Sequence, residues 1–252
     1  MSVPRVETVA DGVHLVRSSA VNWVLVVDGD TVTVVDGGYP ADATALEASL
    51  AAVGRTPGDV AAALVTHAHV DHVGGLAPLA ARHRFPVLTG PTEARHARRE
   101  FLEQARPVVV ARHAWRPRVL RWALHAARVG ALRTVAVPTA AGVEEPLDLP
   151  GRPVPVPTPG HTSGHTAYLL PDAGVLISGD ALVTGHPTTT RTGPQRLPVF
   201  FDQDPDRAGV TLDALGRLAA DVLLPGHGPA WRGRPADAVA RARDSRGTCG
   251  SW

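Results

Sequence analysis

Apolar residues along this chain fall into short β-branched runs, which then begin to alternate with helix-period stripes. Val13 to Arg17, Trp23 to Asp28 and Thr31 to Asp36 read as strands, the last two joined through Gly29-Asp30, a hairpin signal. Ala41 to Gly54 reads as a helix, with Leu46 and Leu50 four apart and Gly54 placed to end it. A buried strand, Val60 to Thr66, runs into a histidine-rich turn. A short helix, Gly75 to His83, and a strand, Pro86 to Thr89, follow. Strand patterns resume at Val154 to Val156, Thr166 to Leu170 and Gly174 to Ser178. A helix from Leu212 to Ala220, a strand from Val222 to Leu224 and a helix from Pro235 to Arg243 close the pattern. Each half contributes strands, helices and histidine-bearing strand ends, as a two-sided sandwich would.

Between these halves, the stretch from Thr92 to Arg133 differs in charge. It holds ten arginines against Glu93, Glu100 and Glu103, a net +7, which leaves −6 for the rest of a chain whose total is +1. It reads as two helices, Thr92 to Ala105 and Arg118 to Val129, broken at Pro107 and Pro117. We take it as an insertion, at about 92–133, into one domain covering 1–252.

Composition narrows the function classes. A near-neutral total gives the whole molecule no bias toward nucleic acid or anionic membrane. The only cysteine is Cys249, so an intrachain disulfide is excluded and thiolate ligation of a metal is disfavoured. No apolar run approaches the ~20 residues of a membrane span. Met1 to Arg5 lacks the features of a signal peptide, and the expected location is cytoplasmic. The 12 histidines, by contrast, are clustered.

The strongest cluster is Thr66-His67-Ala68-His69-Val70-Asp71-His72, at the end of a buried strand. His67 and His69, two apart in an extended segment, can point the same way. Imidazole and carboxylate are the donors that zinc and related divalent ions take when thiolates are absent. Four donors in six residues exceed what one tetrahedral ion takes from so short a loop, so the spacing points to two ions. Three more sites repeat the theme of an apolar strand, a small residue and a ligand: His161 after Pro159-Gly160, Asp180 after Ser178-Gly179, and His227 after Pro225-Gly226.

This ordered set, His-x-His-x-Asp-His followed by His, Asp and His, resembles the metallo-β-lactamase fold superfamily of metallohydrolases. The resemblance implies an αββα sandwich with metal at one edge, a mixed α/β architecture in four layers. It implies that His67, His69 and His161 hold one ion, that Asp71, His72 and His227 hold a second, and that Asp180 bridges them. Asp36 falls at a position that supports the ligand loop. The implied cofactor is two zinc ions, with iron or manganese as alternatives. The implied reaction is hydrolysis of a thioester, ester or lactone by a metal-bridging hydroxide, with Asp71 orienting the nucleophile or moving its proton. The glyoxalase II-like branch fits best. Only 25 residues follow His227 here, so that branch's glutathione-binding domain is expected to be absent and glutathione thioesters are not the expected substrates. A mononuclear iron enzyme like the persulfide dioxygenases, a β-lactamase-like hydrolase and a silent metal-binding member are the other readings.

Other residues carry less. His165 is expected to order a loop, His186 to lie on the surface, and Tyr39 and Tyr168 to pack. In the insertion's second helix, Arg118, Arg121, His125 and Arg128 share one face, and Leu120, Leu124 and Ala127 another. The expectation is that the leucine face packs down over the metal site while Arg118 and Arg121 select a small-molecule substrate, an anionic or a carrier-bound acyl thioester. A homodimer is compatible with the same surface.

Overall fold

The computed structural model describes residues 4–244; Cys249 and the first three residues lie outside them. The first sheet has seven strands in chain order: β1 (Arg5–Ala10), β2 (Val13–Arg17), β3 (Asn22–Asp28), β4 (Thr31–Val35), β5 (Val60–Leu64), β6 (Val87–Thr89) and β7 (Ala141–Gly142). Strands β1 to β4 pair antiparallel, and β4 to β7 pair parallel. The β3–β4 hairpin closes on Asp28 opposite Thr31, with Gly29 at φ +52°, where a Cβ would be strained. The second sheet runs in the order β12 (Trp231–Arg232), β11 (Val222–Pro225), β10 (Val175–Gly179), β9 (Thr166–Leu170), β8 (Val154–Pro157).

Period-two alternation builds the layers. Val24 and Val26 of β3 face the second sheet, where they meet a buried layer with Ile177, Tyr168 and Leu224. Trp23 and Leu25, on the opposite face, pack with Leu46 and Leu50 of α1 (Ala43–Ala52). A short α2 (Val70–Val73) and α3 (Leu76–His83) follow β5, and Leu76 and Leu79 join the same layer. Beyond β6 come α4 (Pro91–Ala97), α5 (Pro107–His113) and α6 (Pro117–Val129). Beneath the second sheet, Leu176 and Leu223 pack on α7 (Pro205–Gly216) and α8 (Pro235–Asp244). The αββα arrangement is present. Among the described residues, no helix is long and apolar enough to cross a membrane.

Two local expectations need correction. The arginine-rich stretch holds three helices rather than two. Pro107 and Pro117 start helices instead of breaking them, because the first helical turn does not need their missing N–H. The helix from Pro91 stops early, with Arg98 at its C-cap and Arg99 at φ +63°. Likewise, α7 begins at Pro205 rather than at Leu212, since Asp204 caps it by accepting from Arg207 N at 2.9 Å.

Candidate metal centre

Four chain turns deliver the donors. Thr66 to His72 leaves the end of β5, His161 follows β8, Asp180 follows β10 and His227 follows β11. All lie at one edge of the sandwich, so seven donors separated by up to 160 positions become neighbours. His67, His69 and His161 form one group whose donor atoms lie within 4.8 Å of one another, and Asp71, His72 and His227 form another. Asp180 stands between them. Its Oδ2 lies 3.2 Å from His227 Nε2, 3.6 Å from His161 Nε2 and 3.9 Å from His67 Nε2, and its Oδ1 lies 3.6 Å from His72 Nε2.

The ring orientations are fixed from behind. His72 Nδ1 donates to Asp36 Oδ2 at 2.8 Å, His227 Nδ1 to Ala20 O at 2.6 Å, and His161 Nδ1 to Asp202 Oδ1 at 3.2 Å. Thr66 Oγ1 donates to Asp36 Oδ2 at 2.7 Å and lies 3.1 Å from His67 Nδ1. With Nδ1 committed in each of these rings, Nε2 faces inward. The Nε2 atoms of His67 and His72 and Oδ1 of Asp180 are buried without any hydrogen-bond partner. Buried polar atoms are rarely left so. Three of them converging on one point is what a divalent cation's ligands look like, and the nitrogen and oxygen donor set suits zinc.

Charge is arranged accordingly. Burial and the neighbouring imidazoles hold His67 and His69 well below the usual histidine range, so both are neutral. Burial alone would lower His72, but the carboxylates of Asp36, Asp180 and Asp71 outweigh it and raise His72 to about 10. Asp180 is well below the usual carboxylate range: burial opposes this, and His227, His72 and His161 overcome it.

Several supports were not legible in the sequence. Asn22 reaches from β3 to donate to Pro225 O at 2.9 Å and Gly228 O at 2.7 Å, clamping the turn that carries His227. Glu93, fully buried on α4, accepts from Ala68 N at 2.7 Å, Thr162 Oγ1 at 2.7 Å and His96 Nδ1 at 2.6 Å, tying two ligand turns together. The only sequence signal for the Glu93–His96 pair is its i,i+3 spacing. Asp36 was expected to support the ligand loop, and it does so with its backbone at φ +64°. His165 does order a loop: its Nε2 accepts from Asp180 N at 3.1 Å, and burial pushes its pKa down to about 3.

The surface assignment of His186 is incorrect. It is buried, its ring lies 4.8 Å from that of His227, and it lines the cavity beside the donors. Arg118 and Arg121 are exposed and do not line that cavity; Arg106 and Arg133 do. Leu120 and Leu124 face solvent at 45% and 60% exposure. The face that packs is shifted by one residue: Val119 and Ala126 are buried, and Trp122 and Val129 pack with Ala126 near Tyr39 and Val70. Tyr168 packs as expected, donating to Val65 O at 2.9 Å. Tyr39 is buried and also lines the cavity.

The family model described as the metallo-beta-lactamase superfamily matches residues 17–227. A hydroxyacylglutathione hydrolase of Halorhodospira halophila is 35% identical over 126 residues, 50% of this chain and 34% of that protein. Metallo-beta-lactamase domain-containing protein 1 of Xenopus laevis is 27% identical over 83% of this chain and 71% of its own length. The match spans 55% and 58% of two further hydroxyacylglutathione hydrolases, from Dechloromonas aromatica and Cupriavidus metallidurans. The solved Rm3 metallo-beta-lactamase superposes with a TM-score of 0.68 at 18% identity, covering 98% of this chain and 93% of that one, a likeness of fold.

Proposed function

The chain belongs to the metallo-β-lactamase superfamily, and on that premise we propose that it is a dinuclear metal-dependent hydrolase of small thioesters, esters or lactones. The observation that carries this reading is Asp180, one carboxylate facing imidazoles of both donor groups within 3.2 to 3.9 Å. His67, His69 and His161 would hold one ion, Asp71, His72 and His227 the other, and Asp180 both. Zinc is the proposed ion, given donors of nitrogen and oxygen only. When bound, such ions supply a water of lowered pKa and polarise a carbonyl oxygen.

The chain's own residues do the rest. Asp71 keeps 17% side-chain exposure, the most open of the two carboxylates, so it can accept a proton from the attacking water and pass it to solvent or the leaving group. His165 holds the peptide N–H of Asp180, which fixes the carboxylate between the two groups. Asp36, Ala20 and Asp202 keep three imidazoles in the tautomer that turns Nε2 inward. No serine or organic cofactor is required. The test is turnover of a panel of 4-nitrophenyl esters, acyl thioesters and lactones by zinc-loaded protein, before and after chelation. Hydrolysis abolished by the chelator and restored by zinc supports the reading; hydrolysis indifferent to metal refutes it.

A further inference from the structure

Beside the donors lies a cavity of ≈ 660 Å³. It opens to solvent on one side, and its volume falls in the range of small-molecule pockets. Its floor is His69, Asp71, His161, Asp180 and His227, and its far wall is built by α5 and α6. That wall is mostly small and apolar: Ala111 and Ala114 from the α5 side and Ala123, Ala126 and Ala127 from α6, joined by Val110 and Trp122. Short side chains at these positions take up little of the space between α5, α6 and the donors. Trp122 and Phe201, ring centroids 5.3 Å apart, form an aromatic neck next to His186. Outside the donor set, the charged groups that line the space are Arg106 and Arg133, both exposed.

We propose that the α5–α6 wall makes this a binding site for an extended apolar chain, so that the favoured substrates carry such a chain on one side of the scissile carbonyl. The inference rests on the hydrolase reading for the carbonyl's position, but the cavity's preference stands on its lining alone. A polar peptide-bearing thioester would find few partners along the alanines. An alkyl chain would leave water for a surface of matching character, worth up to about fourfold in affinity per buried methylene. The two arginines at the mouth sit where an anionic or polar end of the substrate would emerge. This replaces Arg118 and Arg121 as the cationic groups at the site.

Two measurements on the zinc-loaded protein test it. Calorimetric titration with straight-chain alkanoates from butanoate to decanoate reads the cavity without catalysis; affinity rising about threefold per added methylene is expected. Hydrolysis is then followed for 4-nitrophenyl esters of increasing acyl length and for acetates of increasing alcohol length, which shows the arm that enters the cavity. Ala123→Phe, filling the space from α6, should lower the octanoate-to-acetate ratio of kcat/KM at least tenfold and flatten the alkanoate series. If esters are cleaved while affinity and rate are flat with chain length, the cavity proposal falls and the hydrolase stands. If affinity climbs with chain length but no ester, thioester or lactone is cleaved, the cavity stands and the hydrolase falls.

Discussion

Asp36 and His72 share a buried hydrogen bond of 2.8 Å, and the same carboxylate oxygen also takes the hydroxyl of Thr66, which touches His67 Nδ1 at 3.1 Å. One side chain therefore orients a histidine from each donor group. Asp36 Oδ1 also accepts from Thr66 N at 2.8 Å, which helps to keep the residue at φ +64°. Asp36→Asn tolerates that backbone but presents its amide where only acceptance serves. Metal affinity, measured by competition with a chromophoric chelator, should fall about 10–100-fold, with the fold retained. Unchanged affinity would remove Asp36 from the account.

Loading the site must displace a proton. His72, raised to about 10 by Asp36, Asp180 and Asp71 against the cost of burial, is charged at pH 7 in the metal-free chain. Zinc titrations in two buffers of different ionisation enthalpy should show at least one proton released per chain at pH 7. The sign for stability follows from a folded pKa above the ordinary 6.5. In the metal-free protein this contribution is full below about pH 6.5 and is lost as pH rises through about 10.

Gly226 leaves no space for a side chain. A Cβ there would collide with Asp180 Oδ1 and come within 2.9 Å of His72 Cε1. Gly226→Ala should keep the sandwich, seen by circular dichroism, while turnover falls at least about 100-fold, more than loss of a single supporting contact costs. Wild-type turnover would mean that Asp180 does not need its position.

Glu93 holds the turns of His67–His72 and His161 together. Glu93→Ala strands the Ala68 N–H, the Thr162 hydroxyl and the His96 ring in a fully buried space. Denaturant unfolding should show a loss of about 3–5 kcal/mol. Burial raises the carboxyl's pKa, yet bonds from His96, Thr162 and Ala68 hold it below its usual value. Its contribution is present above the ordinary carboxylate pKa and is lost as pH falls through the depressed one.

Asn22→Ala removes both bonds to the His227 turn. A loss of about 1–3 kcal/mol is expected for the carbonyls it leaves behind. A fall in metal affinity accompanying the loss of stability would carry the effect to the turn that bears His227.

The candidate donors stand out in the sequence because they follow the ends of four apolar runs, so local pattern and residue type coincide. The supports were not. Asn22 acts 203 positions away on Pro225, and Glu93 acts 69 away on Thr162, so neither is marked by its neighbours. The sandwich could be read from β-branched runs, but the rotation of α6 could not. Its sequence carries a basic stripe of Arg118, Arg121, His125 and Arg128, and a stripe of the same period one residue on, at 119, 122, 126 and 129. Leu120 and Leu124 look like the packing face by hydrophobicity. The helix instead packs by Val119, Trp122, Ala126 and Val129, which leaves Ala123 and Ala127 to face the cavity.

The central claim is that Asp180 joins two ions. Zinc content per chain, measured by mass spectrometry of the metal after dialysis from a zinc-replete buffer, tests it most directly. The account predicts two equivalents for the wild-type chain and fewer for Asp180→Ala. One equivalent or less in the wild-type chain would contradict it.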